Sequence, residues 1–181
     1  MLIDHFLPRY QFSERHAINI AATPQRVMEL VVMRDILGDD PIVRAMMALR
    51  AAPSALWQRL RPAAQPIMTS FGRHSFTPLG HDEKEIVSGL VGRFWQPDGG
   101  LRQITDTDAF VKFCEHGTAK LAMNFLFLPE ADGTKLVTET RVFCPDSRSQ
   151  ILFTPYWLAI RLGSGFIRKR YLRAIKREAE G

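Results

Sequence analysis

Apolar and polar residues alternate from Tyr10 to Ala21, with Tyr10, Phe12, Ile18 and Ile20 on one face and Gln11, Ser13, Arg15 and Asn19 on the other. That period of two predicts a half-buried strand. Thr23-Pro24 supplies an N-cap and a proline at the first helical position, and Val27, Leu30 and Val31 follow at helical spacing to about Leu37. Asp40-Pro41 repeats the start signal ahead of Ile42, Met46 and Leu49, and residues 53–61 add one or two turns. Three short helices are therefore expected after the first strand, then a crossing segment over 61–70 that holds Pro62 and Pro66. Six more strands are predicted at 71–79, 83–95, 101–105, 108–115, 118–128 and 134–144, with turn signals at Gly80, Asp98-Gly99-Gly100, Gly117 and Asp132-Gly133. Asp132-Gly133 is the strongest hairpin signal. Short connections make the seven strands an antiparallel sheet.

After Pro145-Asp146 the period turns helical, with Asp146 as N-cap and Ile151, Leu152, Trp157, Leu158 and Ile160 as an apolar stretch. Burial of Ile151, Trp157 and Ile160 is expected. Pro155 predicts either a kink or a fresh start capped by Thr154, and Gly163-Ser164-Gly165 a second break or bend. From Phe166 onward, Ile167, Tyr171, Ala174, Ile175 and Glu178 continue an amphipathic helix.

If the sheet buries one face, its more apolar parity points inward. The inward set is then Ile86, Ser88, Leu90, Gly92 and Phe94; Ala119, Leu121, Met123, Phe125 and Phe127; and Leu136, Thr138, Thr140 and Val142. Glu139 and Arg141 are left to pair on the outer face. Phe12, Glu14, His16 and Ile18 share one parity, so the first strand adds a carboxylate and an imidazole to an otherwise apolar interior.

Composition changes this picture little. The chain has 181 residues, 46% hydrophobic and 24% charged, with 12 Gly and 11 Pro, which suits one globular domain over 1–181. The longest apolar stretch, 149–160, contains Pro155 and is too short to cross a membrane. The opening residues lack the uninterrupted apolar core of a secretory signal, and Cys114 and Cys144 belong to no paired or clustered motif. A cytoplasmic protein with reduced thiols is expected. The net charge of +5 sits wholly in residues 161–181, where seven basic residues face two acidic ones. A solvated basic helix face explains that tail most simply, with contact to an anionic membrane surface as the alternative.

The order of strand, short helices, six strands and long C-terminal helix resembles the helix-grip fold of the START-like (SRPBCC) superfamily. Local stretches carry the likeness: Tyr10-x-Phe12-x-Glu14-x-His16, Glu85-Ile-Val-Ser-Gly-Leu-Val-Gly-Arg-Phe-Trp95, Thr138-Glu-Thr-Arg-Val142, and Tyr156-Trp157 followed by Gly163-Ser-Gly-Phe-Ile-Arg168 and Ala174-Ile175-Lys176. The resemblance implies an α+β domain in which a curved antiparallel sheet wraps around the terminal helix. It also implies a cavity between them for lipid-, quinone- or polyketide-like ligands. Pro155 departs from smoother examples of the gripping helix.

On this reading the ligand-binding candidates are Phe12, Glu14, His16, Ser88, Leu90, Phe94, Met123, Phe125, Thr138, Thr140 and Trp157. Glu14 and His16 lie two apart on one strand face, where the carboxylate can orient the imidazole for proton transfer or the pair can anchor a ligand hydroxyl. The plainer alternative is a buried pair that satisfies the terminal helix. No Gly-x-Ser-x-Gly elbow surrounds Ser88, Thr138 or Thr140. His74, His81 and Asp82 lack ligand-like spacing, so no metal is expected, and no cofactor. Gly89-x-x-Gly92 precedes no helix, which points to close packing or a bend rather than a phosphate loop. Trp57 and Trp95 are not interleaved with the basic tail, so nucleic acid is not an expected partner. The expected function is binding or carriage of an apolar or amphipathic small molecule. A cyclase or dehydratase using Glu14 and His16 is the alternative, and a protein-interaction scaffold a third. Nothing in the pattern sets an oligomeric state.

Overall fold

A computed structural model of the chain describes residues 1–33, 76–96 and 100–181. The helices expected over 40–61, the crossing segment, His74, and the strand residues before Phe76 lie outside them. Among the described residues, five strands form one curved antiparallel sheet: β1 (Phe12–Ile20), β2 (Thr77–His81), β3 (Glu85–Gly92), β4 (Ala119–Glu130) and β5 (Gly133–Phe143). Their order is β1-β5-β4-β3-β2, so the first strand closes against the fifth. Four helices among the described residues accompany them: α1 (Leu2–Phe6), α2 (Pro24–Met33), α3 (Thr107–Lys112) and α4 (Ser147–Ala179).

Two of the expected strands are corrected. Residues 101–105 contribute only an isolated bridge from Arg102 to Val91. The stretch 108–115 begins in α3, because Asp106 caps it by accepting from the Ala109 amide at 2.8 Å and Phe110 turns into the core. β3 ends at Gly92, short of Trp95. The β4–β5 hairpin forms where Asp132-Gly133 predicts it: Gly133 has φ 143, and a Cβ there would run into the Ile20 carbonyl.

The sheet is covered on both faces, not on one. On the first face α1 and α3 lay Ile3, Phe6, Leu7 and Phe110 over Leu79, Val87, Val91 and Ala122. Gly89 permits that contact, since a Cβ would stand 2.6 Å from the Phe110 ring. Glu85 points to the same side and accepts from the Leu2 amide at 2.5 Å, the Ile3 amide at 3.1 Å and Asn124 Nδ2 at 2.6 Å. A buried carboxylate thus satisfies the first donors of α1. Glu139 and Arg141 do pair, at 2.7 Å, yet both are buried; Arg141 also donates to Asp4 at 2.6 Å under α1.

The opposite face carries α2 and α4. Its parity is the inward set derived from alternation: Ile18, Ile86, Phe125, Phe127 and Leu136 all meet this side. Asp146 caps α4, accepting from the Ser149 amide at 2.8 Å and the Ser149 hydroxyl at 2.6 Å. The helix then runs 33 residues, about 50 Å at 1.5 Å per residue, through Pro155 and Gly163-Ser164-Gly165 without a restart. Its sheet-facing stripe is Phe153, Trp157, Gly165, Arg168, Leu172 and Ile175. Ile151, expected inside, is 72% exposed on the far side. Ile160 is partly buried against the Phe153 cluster. Cys114 and Cys144 are both free thiols. No described helix is long and apolar enough to cross a membrane.

Candidate functional site

Two apolar clusters hold α4 to the sheet, and they do not meet. Around its first half, Phe153 and Trp157 pack with Phe12, Leu90, Phe94, Ala119 and Val142. Around its second half, Leu172 and Ile175 pack with Ile20, Val27, Leu30, Phe127 and Leu136. Between them the register builds a polar belt across the sheet. Glu14 pairs with Thr140, Thr140 with Met123, and Met123 with Ser88; one step along, His16 pairs with Thr138 and Thr138 with Phe125.

The strand alternation places all these side chains under α4, and Gly165 is where the helix crosses Glu14. A Cβ on Gly165 would lie 2.8 Å from Glu14 Oε1 and 3.6 Å from the His16 ring. The glycine lets the helix backbone approach a carboxylate that is only 8% exposed. Glu14 Oε1 in turn stands 2.8 Å from His16 Nε2. A carboxylate only accepts, so the imidazole holds its proton on Nε2 in this pairing.

Arg168 lies one turn further along the helix. Its Nη1 donates to Thr138 Oγ1 at 3.2 Å, and its Nη2 to Thr140 Oγ1 and, at 3.5 Å, to Met123 Sδ. Burial pushes the guanidinium below its ordinary pKa, with the nearby Glu14 charge opposing the shift. On the β1 side of α4, an open cleft of about 800 Å³ is lined by Glu14, His16 and Gly165, with Arg15 on the strand and Arg161 and Lys169 on the helix. The cleft is thus rimmed by cations.

The structure brings together six of the eleven candidate side chains: Glu14, His16, Ser88, Met123, Thr138 and Thr140. Phe12, Leu90, Phe94 and Trp157 lie apart, in the first apolar cluster, where Phe12 stacks edge-on to Phe153 at 5.0 Å and close to Trp157 at 5.8 Å. Phe125 borders the belt and packs on Tyr171 at 5.6 Å. Sequence reasoning missed Arg168 and Gly165. A signal was present: stepping by three or four from Phe153 through Trp157 reaches Gly165, Arg168, Leu172 and Ile175, so Arg168 occupies the apolar stripe. Among the described residues, no three His, Cys, Asp or Glu side chains converge as metal ligands.

Fold and site together define an α+β protein whose antiparallel sheet and long C-terminal helix enclose a polar belt between two apolar clusters. No family model matches the sequence, and no curated protein matches it. Among solved structures, TTHA0849 from Thermus thermophilus is similar over 93% of this chain and 94% of its own, at 12% identity and a TM-score of 0.29. A likeness at that score carries no argument about function.

Proposed function

We propose that this chain is a START-like binding module that takes an amphipathic small molecule, lipid-, quinone- or polyketide-like, between its sheet and α4. The observation that carries the reading is the polar belt. Buried polar side chains in an apolar interface cost free energy unless they are satisfied, and here Ser88, Met123 and Phe125, on the α4 side of β3 and β4, keep part of their surface uncovered. Apolar walls with a few convergent polar groups are the usual composition of a small-molecule site. Native mass spectrometry of the purified protein tests it. A co-purifying apolar molecule is the expected result, and a protein that neither carries nor takes up any such molecule would overturn the proposal.

The 2.8 Å pairing of Glu14 with His16 at the cleft wall favours one second reading, a cyclase or dehydratase in which the pair moves a proton. His16→Ala separates the two. In a carrier it weakens ligand binding by about 1 to 2 kcal/mol, the scale of one hydrogen bond with partial desolvation. In an enzyme it leaves binding nearly intact and lowers turnover by about a hundredfold or more.

A further inference from the structure

Arg141 and Arg168 lie against opposite faces of this sheet, and they are treated differently. Arg141, under α1, has Glu139 at 2.7 Å and Asp4 at 2.6 Å. That is the usual arrangement for a buried guanidinium, whose charge is costly unless a carboxylate neutralises it. Arg168, under α4, has no carboxylate within ion-pair distance among the described residues. Its partners are two threonine hydroxyls and a thioether, all neutral. Glu14, the acid near enough to influence it, is engaged by His16.

The hydroxyls fix the plane of the guanidinium without cancelling its charge. Of its five N–H donors, the contacts to Thr138, Thr140 and Met123 use only part. Arg168 itself stays partly exposed, as do Ser88, Met123 and Phe125 on the same side of the sheet. A cation held in place, with no carboxylate at ion-pair distance among the described residues and beside uncovered apolar surface, is arranged to receive an anion with an apolar body.

We propose that Arg168 is the anchor for the carboxylate of the bound molecule, so that the ligand class is an apolar monocarboxylic acid with its chain toward Phe125. The proposal rests on the carrier reading above and narrows it. A carboxylate accepts charge-assisted hydrogen bonds from a guanidinium fork, where the Nε–H and one Nη1–H remain once Thr138, Thr140 and Met123 have been served. One guanidinium balances one negative charge, whereas a phosphate dianion needs a second cation, and Thr138, Thr140 and Met123 supply none.

The test uses three probes with one tail, laurate, dodecanol and dodecyl phosphate, titrated calorimetrically below their micelle range. Laurate should bind the natural protein at least about tenfold more tightly than dodecanol. Arg168→Gln should abolish that advantage while leaving dodecanol within about twofold. Arg168→Lys, which keeps the charge and loses the fork, should retain part of it, and this variant carries the test if the glutamine protein fails to melt cooperatively. Equal binding of laurate and dodecanol, or a laurate advantage that survives in Arg168→Gln, overturns the anchor and leaves the carrier reading standing. Tighter binding of dodecyl phosphate than of laurate overturns the carboxylate assignment. Failure of all three probes to bind overturns the carrier reading itself.

Discussion

Replacing Gly165 by alanine sets two opposite effects against each other at one atom. Helix propensity favours the change by about 1 kcal/mol, because glycine in a helix interior loses the most backbone entropy on folding. Against it, the new Cβ would lie 2.8 Å from Glu14 Oε1, closer than such contacts occur, and Glu14 is buried and bonded to His16. Either α4 lifts from the sheet, at the roughly 1 to 3 kcal/mol typical of overpacking, or the carboxylate swings away and gives up a charged hydrogen bond of about 1.5 to 3 kcal/mol. The steric side wins, and Gly165→Ala should destabilise the protein by about 1 kcal/mol. In a Glu14→Ala background the obstructing oxygen is gone, and His16 at 3.6 Å is an ordinary contact. There the same substitution should stabilise by about 1 kcal/mol. The coupling between the sites, about 2 kcal/mol, comes from urea unfolding of the four proteins in a double-mutant cycle. Equal stabilisation in both backgrounds would refute the close approach of α4 to Glu14.

Two further outcomes follow from the caps. Glu85→Ala strands two buried donors, the Ile3 amide and Asn124 Nδ2, and one part-buried donor, the Leu2 amide, and at about 1 to 3 kcal/mol for each buried unsatisfied group the loss should reach about 3 kcal/mol after relaxation; hydrogen exchange should show α1 released from the sheet, and a loss below about 1 kcal/mol would contradict the role given to Glu85. Bonds from the Ser149 hydroxyl and the Gly117 and Ser149 amides hold the Asp146 carboxyl down at about 2. Its folded value lies below its unfolded one, so its contribution is present above about pH 4 and lost as the pH falls through about 2. Asp146→Asn, which still caps but does not titrate there, should flatten that part of the acid-unfolding curve, and an unchanged profile would count against the assignment.

The inward parity of every central strand could be read from alternation, because a pleated backbone leaves no other arrangement once one face is known. What alternation could not tell was that the second face is covered too. α1 has five residues, too few for a helical period, and the residue that secures it, Glu85, is a solitary acid in an apolar run. At 108–115, Ala109, Val111 and Phe113 alternate as a strand would, and only the side-chain cap from Asp106 decides for a helix. The phase of α4 was obscured because apolar residues surround it near its start, so Ile151 looked as suited to the core as Phe153. Arg168 was hidden by its neighbours Lys169 and Arg170, which made it one more member of a basic tail. Glu14 and His16 were legible because a charged residue on the apolar side of a strand is rare enough to notice.

The closure of β1 against β5 has a meaning for how the chain comes into being. β1 is synthesised before the other strands, and the partner it needs is the fifth. Among the described strands β1 has no ladder to join until β5 has emerged. Non-local pairings of this kind slow folding and prolong the exposure of unpaired strands. The belt inherits the delay, since Glu14 and His16 come from β1, Thr138 and Thr140 from β5, and Arg168 from α4. A ribosome-bound intermediate that already has β2, β3 and β4 therefore owns much of a sheet but only the Ser88 and Met123 side of this centre. The centre is complete only once β1, β5 and α4 have come together.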